Sequence, residues 1–64
     1  MSLCERLRQI RLDHNLSQGY VSLYLGFKSR NGYWSIESGI VQAKFHHIEE
    51  LCKLYSITPD YFLK

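Results

Sequence analysis

Arg30 and Asn31 carry the most specific chemistry in this chain, because a guanidinium fork and a carboxamide make bidentate hydrogen bonds to the edges of guanine and adenine. Ser29 before them is a good helix N-cap, and Tyr33 and Ile36, at i and i+3, form the apolar side of a short helix. That helix leaves Arg30, Asn31 and Ser35 on another face, where they would enter a groove of double-stranded DNA. The remaining reactive residues point to less. His14 and the pair His46-His47 have no metal-ligand spacing to Cys4 or Cys52, and Glu49-Glu50 fits a solvated helix face. No acid–base carboxylate pair, Ser-His arrangement or glycine-rich phosphate loop stands out. The chain is therefore expected to be no enzyme and to need no metal, cofactor or small-molecule substrate.

The elements that must position Arg30 and Asn31 are short. Leu16 to Gly39 reads as two helices joined by a tight turn: Ser17 caps the first, Val21 and Leu25 lie at i and i+4 behind it, and Gly26 stops it. Ahead of them, Ser2-Leu3-Cys4-Glu5 is a capping box opening a helix with an apolar stripe of Leu3, Leu7 and Ile10, ended by Asp13-His14-Asn15. The second helix covers roughly 17–25 and the third roughly 29–38. A fourth, about 44–55, is expected to bury Phe45, Ile48, Leu51, Cys52 and Tyr55. Thr58 as N-cap and Pro59 at the first helical position open a fifth through Tyr61, Phe62 and Leu63. Nothing alternates like a strand. The expected fold class is all-α, a compact bundle of five short helices containing a helix-turn-helix.

The 64 residues have room for one small domain, 1–64, with little core to spare. Two cysteines without a CxxC motif favour a reduced, cytoplasmic protein over a disulfide scaffold. No apolar run approaches a membrane span, and Met1 to Gln9 carries charges where a signal peptide needs an apolar core. The net charge of +2 is uneven: residues 1–44 hold +3 and residues 45–64 hold −1. The positive half is the one with the helix-turn-helix, which suits a polyanion.

With these features together, Leu12 through Leu63 resembles the phage repressor/Cro-like helix-turn-helix family, often called XRE-like, with its lambda-repressor-like bundle of five short helices. The matching residues are Leu16-Ser17-Gln18 opening helix two, Leu25-Gly26 closing it and Ile36-Glu37-Ser38-Gly39 closing helix three. Gly39 to Ile57 fits the helix-four spacing without a gap. The resemblance implies that Gln18 meets a DNA phosphate, that Arg30, Asn31 and Ser35 face the bases, and that Ser17, Lys28, Ser29 and Lys44 add phosphate contacts. It also implies that Arg11 pairs with Glu37, tying helix one to the end of the reading helix.

Four departures from the family pattern matter. Between Gly26 and Gly39 the chain has one residue more than the commonest spacing, placed at Phe27-Lys28-Ser29, and Arg30 and Asn31 rotate away from DNA if that residue lies inside the helix. Gly32 weakens helix three by roughly 0.5–1 kcal/mol relative to Ala. The loop Ile40-Val41-Gln42-Ala43 is uncharged where relatives often carry Lys or Arg, which lowers the expected phosphate affinity per monomer. Tyr20, Leu23, Tyr24 and Trp34 are apolar at positions commonly polar in the family. The favoured reading is an enlarged core; the rivals are a partner surface and a Trp34 contact to sugar or base.

The expected function is a sequence-specific double-stranded DNA-binding transcriptional regulator, a repressor of phage or mobile-element type that reads the major groove with helix three. The expected assembly is a homodimer, formed in solution or only on DNA, through Pro59, Tyr61 and Phe62 at the exposed chain end. The alternatives are an antitoxin or controller component and a protein-interaction module using the helix-two aromatic patch.

Overall fold

The computed structural model describes residues 2–63, with the backbone alone at residue 63. The described residues form α1 (Leu3–Asp13), α2 (Gln18–Tyr24), α3 (Arg30–Glu37), α4 (Phe45–Tyr55) and α5 (Asp60–Leu63), with no strand among them. α1 opens on the Ser2–Glu5 capping box, the Glu5 N–H donating to Ser2 Oγ at 3.2 Å and the Ser2 N–H to Glu5 Oε1 at 3.0 Å. The first three helices then end alike. A left-handed residue, Asn15, Gly26 or Gly39, follows each helix, and the next N–H reaches back to the helix: Leu16 to the Arg11 carbonyl, Phe27 to Ser22 and Ile40 to Ser35. These closures satisfy carbonyls that the helix leaves open, and they keep the connections short enough to fix how α2 and α3 cross. α5 begins at Asp60, a residue later than a start at Thr58-Pro59 would place it.

Leu7, Ile10, Val21, Tyr33, Ile36, Leu51, Cys52, Tyr55 and Phe62 fill the core, drawn from all five helices. α2 packs chiefly on α3, and α1 lies against both α3 and α5. Each fully buried large side chain contributes about 1.5–3 kcal/mol, and a chain this short has few of them.

Four expectations about packing need correction. Phe45 is 72 % exposed, and His47 takes the inward place at the start of α4, because its ring nitrogen closes the helix end while its ring packs at a tilt against Phe27. Leu3, in the first turn of α1, stays at the surface. Tyr20, Leu23, Tyr24 and Trp34 do not enlarge the core: they are 53, 64, 39 and 39 % exposed. Helix geometry gives the reason for α2, since Val21, Ser22 and Leu25 already occupy its inward side and residues 20 and 23 fall on the opposite one. Phe62 is 4 % exposed and part of the core, so it is not available as a dimer contact. Tyr61 beside it is half-buried under Arg6, whose guanidinium lies 5.9 Å from the ring centre, and Pro59 is exposed. Lys64 and the Leu63 side chain lie outside the described residues.

Candidate nucleic-acid interface

The start of α3 decides where Arg30 and Asn31 point, and it is held from three sides. Phe27-Lys28-Ser29 lie ahead of the helix, and α3 runs unbroken from Arg30 to Glu37. Its register is therefore continuous back from Ile36-Glu37, with Tyr33, Ile36 and Glu37 buried and Arg30 and Asn31 exposed. Phe27 anchors the turn by lying on Gly32, where any Cβ would overlap the aromatic ring. Gly32 thus does more than weaken the helix: its bare backbone is the seat of Phe27. The Phe27 ring also meets His47, with ring centres 5.4 Å apart.

The third support is Ser22, a residue with no evident role in the sequence. Its buried hydroxyl donates to the Ser29 carbonyl at 2.5 Å and accepts the Tyr33 N–H at 3.1 Å. It stands between the two groups that an undisturbed first turn would bond directly, and so pins α3 to α2. Ser29 occupies the N-cap position of α3, but its side chain makes no capping bond, which corrects its expected role. Its extended backbone presents the carbonyl to Ser22 instead.

At the other end of α3, Glu37 is gripped by α1 and α2. Arg11 Nε lies 3.1 Å from Glu37 Oε2 and Arg11 Nη2 lies 3.1 Å from Oε1, while Arg11 Nη1 donates to the Leu16 carbonyl at 2.8 Å. Gln18 Nε2 adds a donor to Glu37 Oε2 at 3.2 Å. A forked ion pair this buried holds only when its remaining valences are met, and here they are. The nearby hydroxyls of Tyr33 and Tyr55 find no protein partner among the described residues. Burial, followed by the Glu37 carboxylate, pushes the Tyr33 hydroxyl well above its ordinary range. Tyr55 is pushed up to about 12 by burial, with the Arg11 guanidinium opposing the shift. Both tyrosines stay neutral beside the pair.

The expected contact residues fall into two groups. Arg30, Asn31, Lys28 and Lys44 are exposed, and none of these four side chains forms a hydrogen bond among the described residues. The others are partly engaged within the protein. Ser17 Oγ caps α2 by accepting the Tyr20 N–H at 3.0 Å, Gln18 holds Glu37, and the half-buried Ser35 hydroxyl donates to the Asn31 carbonyl at 2.9 Å. The sequence reading missed Ser22, Phe27 and His47. A glycine inside a helix, five residues after an aromatic in the preceding turn, was the one available signal pointing to Phe27 and Gly32 as a pair.

His47 faces Phe27 and His46, and its Nδ1 accepts the Lys44 N–H at 3.2 Å. A ring nitrogen that accepts a hydrogen bond carries no proton. Burial first, then the charges of His46 and Lys44, lower its pKa and favour that neutral form.

A family model described as helix-turn-helix matches residues 7–62, nearly the whole chain. The matched span contains every residue described above around α3. No curated protein and no solved structure matched the chain.

Proposed function

Because this chain belongs to the XRE-like helix-turn-helix family of DNA-binding regulators, we propose that it recognises a specific double-stranded DNA sequence by placing α3 in the major groove. The observation that carries this reading is the division of α3: Tyr33, Ile36 and Glu37 are locked inward, while Arg30 and Asn31 stand exposed on the first turn. An α-helix with its side chains is about 10–12 Å across, which fits the width of the major groove. Arg30 and Asn31 read guanine and adenine edges. Ser17, Gln18, Lys28, Ser29 and Lys44 position the duplex through its phosphates, for which Gln18 and Ser29 use their exposed atoms beside their internal bonds. Ser35, bonded to the Asn31 carbonyl, contributes contact more than a hydrogen bond. Regulation follows from covering a promoter, as in repressors of phage or mobile-element type.

One short recognition helix gives limited affinity, so two copies are placed about one helical turn apart on a pseudo-palindrome. With Phe62 in the core, the copies meet weakly through Pro59 and the outer edge of Tyr61. Selection of bound duplexes from a random pool tests the reading. It should enrich a site with two inverted halves; no enrichment above random duplex would contradict it. The exposure of Tyr20, Leu23 and Tyr24 favours a second reading, a protein-interaction module. That reading gains if the pool yields no site.

A further inference from the structure

Trp34 is the large apolar side chain on the outward side of α3, 39 % exposed beside a Tyr33 that is wholly buried. It follows Arg30 by one helical turn and Asn31 by three residues, so the three side chains are neighbours on the helix surface. The Ser35 hydroxyl is already held by the Asn31 carbonyl. The outward surface therefore offers a guanidinium, a carboxamide and an indole. The first two suit polar base edges. The indole does not: it has one N–H donor and no acceptor, on a large apolar face.

What the major groove offers an apolar face is the C5-methyl group of thymine, and 5-methylcytosine carries the same group at the same place. We propose that Trp34 packs against a pyrimidine C5-methyl group in the major groove, next to the base pair that Asn31 contacts. The proposal rests on α3 being the DNA-reading helix. An adenine held by Asn31 presents its own partner's methyl in the same groove, and the spacing of about 5–6 Å between i and i+3 side chains reaches that pair or the next. An apolar reader beside two polar ones also fits the weak charge of this surface, where Ile40-Val41-Gln42-Ala43 supplies no cation.

The test uses the duplex enriched from a random pool, with each thymine replaced in turn by deoxyuridine and each cytosine by 5-methylcytosine. Removing the one methyl that Trp34 touches should weaken binding of the unaltered protein about fourfold, the factor for one buried methyl-sized group. If the contacted base is a cytosine, methylating it should strengthen binding by the same factor. In Trp34→Ala the methyl effect should vanish at that position, whereas Asn31→Ala should keep it. Should Trp34→Ala fail to give the wild-type helical circular dichroism, Trp34→Gln takes its place. Methyl-independent binding by the unaltered protein at every position, or the same methyl effect in the Trp34 variant, would overturn the proposal alone. Failure to enrich any duplex would overturn it together with the reading on which it rests.

Discussion

At the scale of single residues, the placing of Arg30 and Asn31 rests on atoms that are missing as much as on atoms present. Gly32 lacks the Cβ that would collide with Phe27, and this absence lets the Phe27 ring close over the helix start. The effect of Gly32→Ala should therefore depend on Phe27. In the wild type it should destabilise by about 1–3 kcal/mol through overpacking. In a Phe27→Ala background the same change should be neutral or stabilise by roughly 0.5–1 kcal/mol, because alanine favours the helix once the ring is gone. Urea melts of the four proteins measure this reversal of sign, and equal effects in both backgrounds would mean that the ring is not seated there. The Arg11–Glu37 pair is the second residue-scale device. Glu37→Ala leaves a buried guanidinium unpaired and should cost about 3 kcal/mol. Glu50→Ala removes only an exposed partner of Lys53 and should barely move the midpoint.

At the scale of elements, α4 couples to the start of α3 through His47. Its pKa is lowered in the folded protein, so the unfolded chain binds a proton more readily below the ordinary value of 6.5. The neutral ring contributes stability that is fully present above about pH 6.5 and is lost as pH falls toward the depressed folded value. Protonation also removes the Nδ1 acceptor from the Lys44 N–H and adds positive charge at a helix N-terminus. Stability measured between pH 7.5 and 5 should fall more steeply for the wild type than for His47→Gln; parallel curves would exclude His47 as the titrating group. This cap also shows where the sequence was legible and where it was not. Helix ends were readable at Ser2-Glu5, Ser17, Gly26 and Gly39, because capping and left-handed turns depend on local residue types. The division of α3 was readable because Tyr33 and Ile36 set the apolar face. Phe45 was misplaced because periodicity ranks a phenylalanine above a histidine, whereas the structure turns inward the residue that can close the helix end. Ser22 was invisible because its two bonds join segments that only the α2–α3 crossing brings together. Arg11 and Glu37 were paired through family resemblance alone; no local pattern links residues 26 positions apart.

At the scale of the whole molecule, most of the side chains that stabilise the fold are separate from those assigned to DNA. Core residues and the Arg11–Glu37 pair hold α3 in register, and Arg30, Asn31, Lys28 and Lys44 remain exposed. That separation predicts two distinct mutant behaviours. Lys28→Ala or Lys44→Ala should weaken all duplexes alike and reduce the salt slope by roughly one for each phosphate no longer neutralised. Arg30→Ala and Asn31→Ala should instead act on sequence preference. The most direct test is therefore titration of the selected duplex and a scrambled one with wild type, Arg30→Ala and Asn31→Ala at several salt concentrations. Each variant is predicted to lose about 1–3 kcal/mol per half-site on the selected duplex and to flatten preference at one or two base pairs, with Asn31→Ala leaving the scrambled affinity unchanged. Wild-type discrimination between the two duplexes retained in both variants would contradict base reading by this face of α3.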